Sequence, residues 1–160
     1  MKIYLKDSAQ HGKGVFAAVP IATGEKILKF TGPLVQYSQL DHDDYHLQIG
    51  VELYLGPSGE CDDYVNHCCN PNTTLDDDLN LVALRAISPD EEITWDYSTA
   101  IDEEDFPGFT CQCGAPNCRK IVRSFRHLEL TDQLRLVPCL LAYLKTKYSI
   151  ASEHQIIGAT

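Results

Sequence analysis

Short runs of apolar residues, separated by Gly, Pro, Asp or Ser, dominate the first hundred positions of the chain. The runs are rich in β-branched and aromatic residues and are too short for helices, so each predicts a β-strand. The predicted strands are Gly14–Val19, Lys26–Phe30, Leu47–Leu55, Leu81–Ile87 and Glu92–Tyr97. A helical pattern in this half is limited to a weak signal over Tyr37–Tyr45.

One part of this pattern occurs twice. Residues 16–28 and 82–94 both predict a strand, a tight turn and a second strand. Their matching positions are Ala17/Ala83, Ile21/Ile87, Glu25/Glu91 and Ile27/Ile93. Hairpin turns favour Gly, Pro and Asp wherever they occur, so turn chemistry alone could produce this likeness. Two copies are also too few for a solenoid.

The pattern changes after the last predicted strand. Ser98–Gly108 is polar and acidic and contains Pro and Gly, which is typical of a mobile loop or linker. From Thr131 the spacing becomes helical, with Thr131 as the expected N-cap and Pro138 in the first turn of a second short helix. The last ten residues indicate a tail with an apolar patch at Ile156–Ile157.

Length and composition predict a single domain with a real core, because the chain has 160 residues and is 44% hydrophobic. No run of 18 apolar residues exists, so a membrane span is not expected. The N-terminal residues contain no apolar stretch typical of a secretion signal. The expected location is therefore intracellular, either cytoplasmic or nuclear, where thiols stay reduced.

The net charge of −10 narrows the choice of partners. Binding to a phosphate backbone depends on Lys and Arg, so direct binding to nucleic acid is not expected. A Lys- or Arg-rich protein or peptide is a more compatible partner. Acidity can also serve solubility alone.

The seven cysteines indicate a metal site, because an odd number argues against a full disulfide framework. Cys111, Cys113 and Cys118 lie within eight residues, with Gly and Pro between them. Thiolates at this spacing converge on one ion, and Zn²⁺ prefers four tetrahedral ligands. The fourth ligand must come from elsewhere, and the spacing does not choose it. The candidates are Cys61, Cys68, Cys69 and Cys139.

Four segments carry a family resemblance. They are HGKGVFA (His11–Ala17), YVNHCCNPN (Tyr64–Asn72), EEITWDY (Glu91–Tyr97) and CQCGAPNC (Cys111–Cys118). In this order they resemble the Gly-x-Gly, Asn-His-Ser-Cys-x-Pro-Asn, Glu-Leu-x-Phe-Asp-Tyr and post-SET zinc motifs of SET-domain protein-lysine methyltransferases. A lone Gly-x-Gly is weak, but all four motifs in order are specific.

The resemblance implies a mainly β SET-domain fold, with several short curved sheets, a pseudoknot at the active site and a small helical C-terminal tail. It divides the chain into a core at 1–98, an acidic loop with the zinc motif at 99–120, and a helical segment at 121–160. The implied activity is transfer of methyl groups from S-adenosylmethionine to a lysine of a protein substrate. The alternative is a catalytically silent, zinc-stapled module that binds peptides.

The implied cofactor residues come from two motifs. Gly12 and Gly14 are expected to let the backbone approach the cofactor closely, since glycine has no side chain to block it. Main-chain groups around Lys13–Val15 are expected to contact the methionyl part. The Asn66 side chain is expected to hold the methionyl amine. The backbone of Asn66 and His67 is expected to read the adenine edge.

The resemblance also assigns roles around the reacting groups. Tyr97 is the implied catalytic residue that orients the lysine amine, and Trp95 takes the position of a Phe or Tyr that lines the lysine channel. Asp96 should face away from Tyr97 along a strand, so we interpret it as structural. A bulky Trp95 predicts mainly monomethylation.

The resemblance selects Cys69 as the fourth zinc ligand, beside Cys111, Cys113 and Cys118. Cys68 stands where the family has Ser and is expected to be a small buried hydrophobe; a reactive role would need exposure and a lowered pKa.

The sequence also raises expectations for Asp63, for two tyrosines and for an acidic run. Asp63 replaces a common Arg, which predicts modest cofactor affinity. Tyr45 and Tyr54, in the variable insert Gln36–Cys61, either line a groove or are simply strand aromatics. The acidic run Asp102–Asp105 is expected either to attract basic residues of the substrate or to be an ordinary solvated loop.

Overall fold

The computed structural model describes residues 2–40 and 45–150. Within these ranges the chain forms twelve short strands and two short α-helices. The strands are β1 Ile3–Asp7, β2 Lys13–Ala17, β3 Lys26–Lys29, β4 Leu34–Gln36, β5 Leu47–Gln48, β6 Leu53–Leu55, β7 Asn66–His67, β8 Thr73–Leu75, β9 Asn80–Ala83, β10 Glu92–Trp95, β11 Phe109–Thr110 and β12 Ile121–Val122. The α-helices are α1 Leu130–Leu136 and α2 Ala142–Lys147; 3₁₀ turns lie at Tyr37–Gln39, Cys61–Tyr64, Tyr97–Thr99, Phe125–His127 and Val137–Cys139.

The strands form four small sheets, so the prediction of a mainly β fold with a small helical C-terminal segment is confirmed. The sheet orders are β1-β2-β10-β7, β3-β9-β8, β4-β6-β5 and β11-β12. β7 pairs with β10 in parallel, with Asn66 opposite Thr94 and His67 opposite Trp95. This pair joins the two segments that the expected pseudoknot brings together.

The predicted strand Leu47–Leu55 is wrong as a single element. The chain turns back between β5 and β6, which pair antiparallel. The backbone N–H groups of Ile49 and Gly50 donate to the Leu53 carbonyl at 2.9 and 3.0 Å. A Cβ at Gly50 would lie 3.1 Å from that of Leu53, which favours glycine here, and the nearly continuous apolar run hid the turn from the pattern.

The repeated pattern corresponds to direct pairing between its two copies. Each copy supplies the same backbone donors to the other at about the same positions. The hydrogen bonds are Ile21 with Ile87 in both directions, Ala17 N–H to Glu91 O and Ala83 N–H to Glu25 O, all at 3.0 Å. The matching Glu carboxylates each accept from the N–H three residues earlier, also at 3.0 Å. The likeness is therefore a local two-fold arrangement and more than repeated turn chemistry.

The main core lies between the first two sheets and the segment after β10. Its buried members are Val15, Ala17, Ile21, Val65, Leu75, Leu81, Ala83, Ile87, Ile93, Trp95, Ala100 and Leu141. A second cluster holds the helical segment together and consists of Phe125, Leu128, Leu136, Leu140 and Leu144. Among the described residues, no helix is both long and apolar enough to cross a membrane.

The first part of the segment Ser98–Gly108 is buried, unlike the solvated loop that its composition indicated, while Glu104 and Asp105 are exposed. Ser98 and Ala100 are fully buried, and Asp102 is 2% exposed. The helical segment packs over it, since the Leu141 N–H donates to the Thr99 carbonyl at 3.1 Å. Burial in this segment depends on a partner element that local composition does not reveal.

The structure corrects one prediction about the helices and tests another only in part. Helix α1 has Glu129 as its N-cap residue, so Thr131 lies inside the first turn and is not the cap. Pro138 does lie in the first turn of a short helical element, as predicted. The weak helix signal at Tyr37–Tyr45 gives a 3₁₀ turn at Tyr37–Gln39, and residues 41–44 and 151–160 lie outside the described residues.

Candidate active site

A large cleft opens beside the loop before β2. Its volume is about 640 Å³, within the range of small-molecule sites. Four of the predicted cofactor residues line it: Gly12, Lys13, Asn66 and His67. The structure therefore brings together residues from two motifs that are far apart in the sequence.

Asn66 is held in place at this cleft by its amide NH₂ group. The group donates to the Lys13 carbonyl at 3.1 Å and to Glu92 Oε1 at 2.7 Å. Among the described residues no hydrogen bond reaches Asn66 Oδ1, so its acceptor oxygen is available. An acceptor at this position fits a cofactor that presents an amine.

Gly14 is buried behind the cleft and is not among its lining residues. A Cβ at this position would lie 2.3 Å from Glu92 Oε1 and 3.0 Å from Asn66 Nδ2. The structure thus gives Gly14 a second purpose, which is to make room for the Glu92–Asn66 pair. Glu92 also accepts from Ser8 Oγ at 3.0 Å and so ties down the loop before β2.

A smaller cavity of about 100 Å³ shares Tyr97 with the large cleft. Phe30 and Trp95 line it, and Tyr45, Asp63 and Tyr97 line both cavities. Tyr97 therefore stands where a wide cleft and a narrow one meet. Tyr45 is also placed at the junction, while Tyr54 is buried and lines neither cavity.

The two ends of Tyr97 are fixed by separate hydrogen bonds. Its hydroxyl donates to the Val65 carbonyl at 2.8 Å, and its backbone N–H donates to His67 Nδ1 at 3.1 Å. Burial raises the pKa of Tyr97, so the phenol keeps its proton at neutral pH. The oxygen lone pairs are what Tyr97 can offer to a group in the cavity.

Trp95 is buried against two aromatic rings. Its ring centroid lies 5.0 Å from that of Tyr97 and 5.8 Å from that of Phe30. Within the described residues its indole Nε1 has no hydrogen-bond partner. A buried donor of this kind is costly unless it finds an acceptor, such as a water or carbonyl in the cavity.

The cysteine cluster contains the four predicted ligands: Cys69, Cys111, Cys113 and Cys118. Their Sγ atoms all lie within 4.8 Å of one another, and those of Cys69 and Cys111 are 3.8 Å apart. Tetrahedral Zn²⁺ with Zn–S bonds of about 2.3 Å places its sulfurs about 3.8 Å apart. The donor set and the spacing therefore fit a closed zinc site.

The loop of this cluster is closed by the β11–β12 pair, with Thr110 opposite Ile121. Gly114 has a φ of +68°, which a residue with a side chain rarely adopts. The Cys118 N–H donates to the Ala115 carbonyl at 2.9 Å and completes the turn. The Gly and Pro between the cysteines thus bend the backbone as the spacing predicted.

Cys68 lies outside the cluster and is 8% exposed. Burial raises the pKa of its thiol to about 11. A thiol with these properties is neither exposed nor ionised at neutral pH, so the interpretation of Cys68 as a small buried hydrophobe is supported.

Asp96 is a buried structural carboxylate, in agreement with its interpretation from sequence. Arg119 binds it with two nitrogens, at 2.7 and 2.6 Å. The same Arg119 donates its backbone N–H to Cys69 Sγ at 3.4 Å. Sequence analysis missed Arg119, although its position directly after Cys118 was a usable signal.

Asp102 contradicts the picture of a free acidic loop. Its carboxylate is buried and binds Lys147 at 2.7 Å, Tyr148 at 2.8 Å and Arg126 at 3.4 Å. These partners belong to the helical segment, so Asp102 anchors that segment and cannot attract a substrate. Exposed acidic side chains in this run are Glu104 and Asp105.

Asp63 holds a neighbouring turn while it lines both cavities. Its carboxylate accepts from the N–H groups of Ser58 and Gly59 at 2.9 and 2.7 Å. Tyr45 lines both cavities, which agrees with the first of its two alternatives. Glu92 is a further residue at the site that had no predicted role. Glu92 is the first residue of the Glu-Leu-x-Phe-Asp-Tyr motif, so the motif itself could have identified it.

A family model described as SET domain matches residues 12–98, which is more than half of the chain. The chain therefore belongs to the SET-domain family. Among curated relatives, the histone-lysine N-methyltransferase trithorax of Drosophila melanogaster is 30% identical over 129 residues, covering 69% of this chain and 3% of that protein. The H3 lysine-4 specific histone-lysine N-methyltransferase of Debaryomyces hansenii is 30% identical over 132 residues, covering 70% of this chain and 12% of that protein. The chain thus spans a small part of these relatives.

Solved structures agree with this fold. The crystal structure of KRYPTONITE in complex with mCHG DNA and SAH has a TM-score of 0.62 at 26% identity, over 76% of this chain and 29% of that chain. The methyltransferase domain of human SETMAR has a TM-score of 0.63 at 22% identity, over 76% of this chain and 58% of that chain. The expected SET-domain fold is confirmed.

Proposed function

We propose that this chain is an S-adenosylmethionine-dependent protein-lysine methyltransferase with one structural zinc ion. The observation that carries the proposal is the meeting of a wide cleft and a narrow cavity at Tyr97. Methyl transfer to an amine needs the donor and the acceptor to approach along one line from opposite sides. A cleft for the cofactor and a separate channel for lysine meet that requirement.

S-adenosylmethionine would supply an activated methyl group on a positively charged sulfur. Gly12, Lys13, Asn66 and His67 would hold the cofactor in the large cleft, with Asn66 Oδ1 as the acceptor for its amine. A solved relative was crystallised with SAH, which supports a cofactor of this class. The role of each residue is part of the proposal.

The narrow cavity would favour the neutral form of the substrate amine. A free lysine has a pKa of about 10.4, so it is charged at neutral pH. Desolvation between Trp95 and Phe30 disfavours the charged form and lowers that pKa. Asp96 is paired with Arg119 and is not available as a base, so the proton is expected to leave to solvent before the amine enters.

Tyr97 would orient the amine through its hydroxyl oxygen. Because its proton is donated to the Val65 carbonyl, the oxygen acts toward the amine as an acceptor. An acceptor that holds an N–H of the amine turns the nitrogen lone pair toward the methyl group. This role requires only that the Tyr97 hydroxyl is correctly positioned; Tyr97 keeps its proton throughout.

The zinc ion would be held by Cys69, Cys111, Cys113 and Cys118 and would act structurally. All four positions are filled by thiolates, so no open position is left for substrate or water. Cys69 belongs to the motif at the cleft and the other ligands to the β11–β12 loop. Metal binding would therefore fix that loop, including Phe109 and Thr110, against the cleft.

A basic, lysine-containing peptide is the proposed substrate class. One solved relative was crystallised with an H3(1–15) peptide, which makes a histone tail the first substrate to test. The net charge of −10 favours a basic partner over nucleic acid. That relative, KRYPTONITE, was crystallised with DNA as well as the peptide, and it is a longer chain, of which this one covers 29%. An intracellular location, cytoplasmic or nuclear, is part of the same proposal.

The proposal is tested by labelled methyl transfer to an array of lysine peptides, beginning with histone tails. Peptides with Lys replaced by Arg are the matched substrate control. Transfer to lysine that is lost in the Arg peptides supports the proposal. Binding of S-adenosylmethionine and peptide, without transfer to any peptide, would support the alternative of a silent peptide-binding module.

A further inference from the structure

The His67 side chain connects the cysteine cluster with Tyr97. Its Nδ1 accepts the backbone N–H of Tyr97 at 3.1 Å, and its Nε2 lies 3.3 Å from Cys69 Sγ. The imidazole is 4% exposed, so water does not compete for either contact. One ring thus touches both a predicted metal ligand and the backbone of the predicted catalytic residue.

The contacts define which nitrogen carries the proton. A neutral imidazole has one donor and one acceptor nitrogen. Because Nδ1 accepts from Tyr97, Nε2 carries the hydrogen and donates it to Cys69 Sγ. The Arg119 N–H donates to the same sulfur at 3.4 Å. Two donors at one sulfur stabilise the negative charge of a thiolate.

A second path joins the same two places. The Arg119 guanidinium binds both oxygens of Asp96, and Asp96 directly precedes Tyr97. Asp96 Oδ1 also accepts from the Ser98 N–H at 3.1 Å on the other side of Tyr97. Asp96 therefore holds the backbone next to Tyr97, and its partner Arg119 also contacts Cys69.

We propose that His67 is a positioning residue that links the cysteine cluster to the placement of Tyr97. The thiolate of Cys69 holds Nε2, which fixes the ring plane, and the ring then holds the Tyr97 backbone through Nδ1. Outer-shell donors of this kind typically change metal affinity by about 10- to 100-fold when removed. The role of Tyr97 in this inference rests on the proposed function. The contact between His67 and Cys69 does not depend on that function.

Two substitutions separate the two contacts. Asn places an amide atom near the position of Nδ1, so His67→Asn keeps a partner for Tyr97 and removes the donor to Cys69. Gln reaches the position of Nε2, so His67→Gln keeps the donor to Cys69 and removes the partner for Tyr97. The matched controls are His127→Asn and His127→Gln, because His127 is exposed on the helical segment.

Metal affinity is measured by competition with a chelator, and the thiolate-to-metal absorption band is measured with Co²⁺. His67→Asn is expected to weaken zinc binding about 10-fold or more and to shift the Co²⁺ band, with a smaller effect in His67→Gln. At saturating zinc, His67→Gln is expected to lose more kcat than His67→Asn. The His127 variants are expected to behave as the unmodified protein.

Trp95 gives a readout that is independent of turnover. It is the single tryptophan of the chain, and its ring lies 5.0 Å from that of Tyr97. With zinc bound, its emission should change in His67→Gln more than in His67→Asn. If no peptide is methylated by the unmodified chain, the proposed function fails, and the emission and Co²⁺ spectra still decide the link.

Two results would overturn the inference. Unchanged zinc affinity and Co²⁺ spectra in His67→Asn would mean that the ring does not support Cys69. If both variants lose the same zinc affinity and show the same change in Trp95 emission, His67 is needed only for packing.

Discussion

The Sγ atoms of Cys69 and Cys111 lie 3.8 Å apart, although 42 positions separate the two residues in the chain. Cys68 lies next to Cys69 in sequence and is not part of the cluster. Successive side chains of an extended segment point to opposite faces, so adjacent cysteines rarely serve one site. Cys69 belongs to the group of four sulfurs, whereas the Cys68 thiol lies beside that group and contacts Cys113.

The first prediction concerns metal content. Cys69→Ser should lose most of the bound zinc, because it removes one of four ligands, while Cys68→Ser should keep about one equivalent. Zinc binding in small structural sites is worth about 10–16 kcal/mol, so the loss should also loosen the β11–β12 loop. Elemental analysis and limited proteolysis of both variants would measure these effects. Zinc lost from Cys68→Ser but kept in Cys69→Ser would reverse the assignment.

The second prediction concerns Tyr97→Phe. Turnover should fall about 100-fold, since the acceptor that orients the amine is lost. Binding of S-adenosylmethionine, measured by calorimetry, should stay within a few-fold because the hydroxyl acts on the reacting amine. Tyr143→Phe offers a comparison, as its hydroxyl bonds the Ala100 carbonyl away from both cavities. Full turnover in Tyr97→Phe would exclude the proposed role.

The third prediction concerns the number of methyl groups added. Trp95 fills space beside the channel, and an excess of volume in a tight site costs about 1–3 kcal/mol. That cost would slow a second transfer about 5- to 150-fold. The unmodified chain should therefore give mainly monomethyl-lysine, and Trp95→Phe should shift the product toward di- and trimethyl-lysine. Mass spectrometry at early times checks this; trimethyl product from the unmodified chain would show that Trp95 does not restrict the channel.

The fourth prediction concerns Asp102 and pH. Burial alone would raise the pKa of Asp102, but hydrogen bonds from Lys147, Tyr148 and Arg126 outweigh it and hold that pKa below its usual value. A carboxylate with a lowered folded-state pKa stabilises the fold above its unfolded pKa of about 3.9, and this stability is lost as the pH falls through the folded value.

Asp102→Asn should therefore lower the free energy of unfolding at pH 7 by about 2 kcal/mol, since it weakens charged hydrogen bonds between a buried carboxylate and partners that are 31% and 27% exposed. The difference from the unmodified chain should shrink as the pH falls below about 4. Chemical denaturation at several pH values would measure it. Glu104→Gln, an exposed partner of Arg126, should change stability by about 0.5 kcal/mol or less. A constant difference at all pH values would contradict the linkage.

Much of the candidate site could be predicted because its motifs combine residue types that rarely occur together for structural reasons alone. Three cysteines at close spacing restrict the chemistry to metal binding, and the family resemblance supplied Cys69. The proposed cofactor residues at the cleft also came from these motifs, whereas Gly14 lies behind the cleft and makes room for the Glu92–Asn66 pair. The exact geometry at Tyr97 was beyond the sequence, because its hydrogen bonds to Val65 and His67 join distant segments.

The fold was predicted best where local pattern and tertiary packing agree. β2, β3 and β10 correspond to predicted strands, whereas the Leu47–Leu55 run concealed a turn. At Asp102 the local pattern was misleading in another way, because a polar, acidic composition indicated exposure and the side chain is buried. Its burial depends on Lys147 and Arg126, whose arrival at that point is a consequence of the complete fold.

The reciprocal pairing of Ile21 with Ile87 has a consequence for how the family can diversify. The hydrogen bonds between these two residues close residues 21–87 into a loop. The variable insert Gln36–Cys61 lies inside this loop and away from the paired residues in sequence. The entropy of closing a loop grows slowly with its length, by about 0.6 kcal/mol for each doubling. Insertions in the exposed turn of this insert, at Val51–Glu52, should therefore cost little stability and would leave the Ile21–Ile87 pair, and the buried Gln48 and Tyr54, in place.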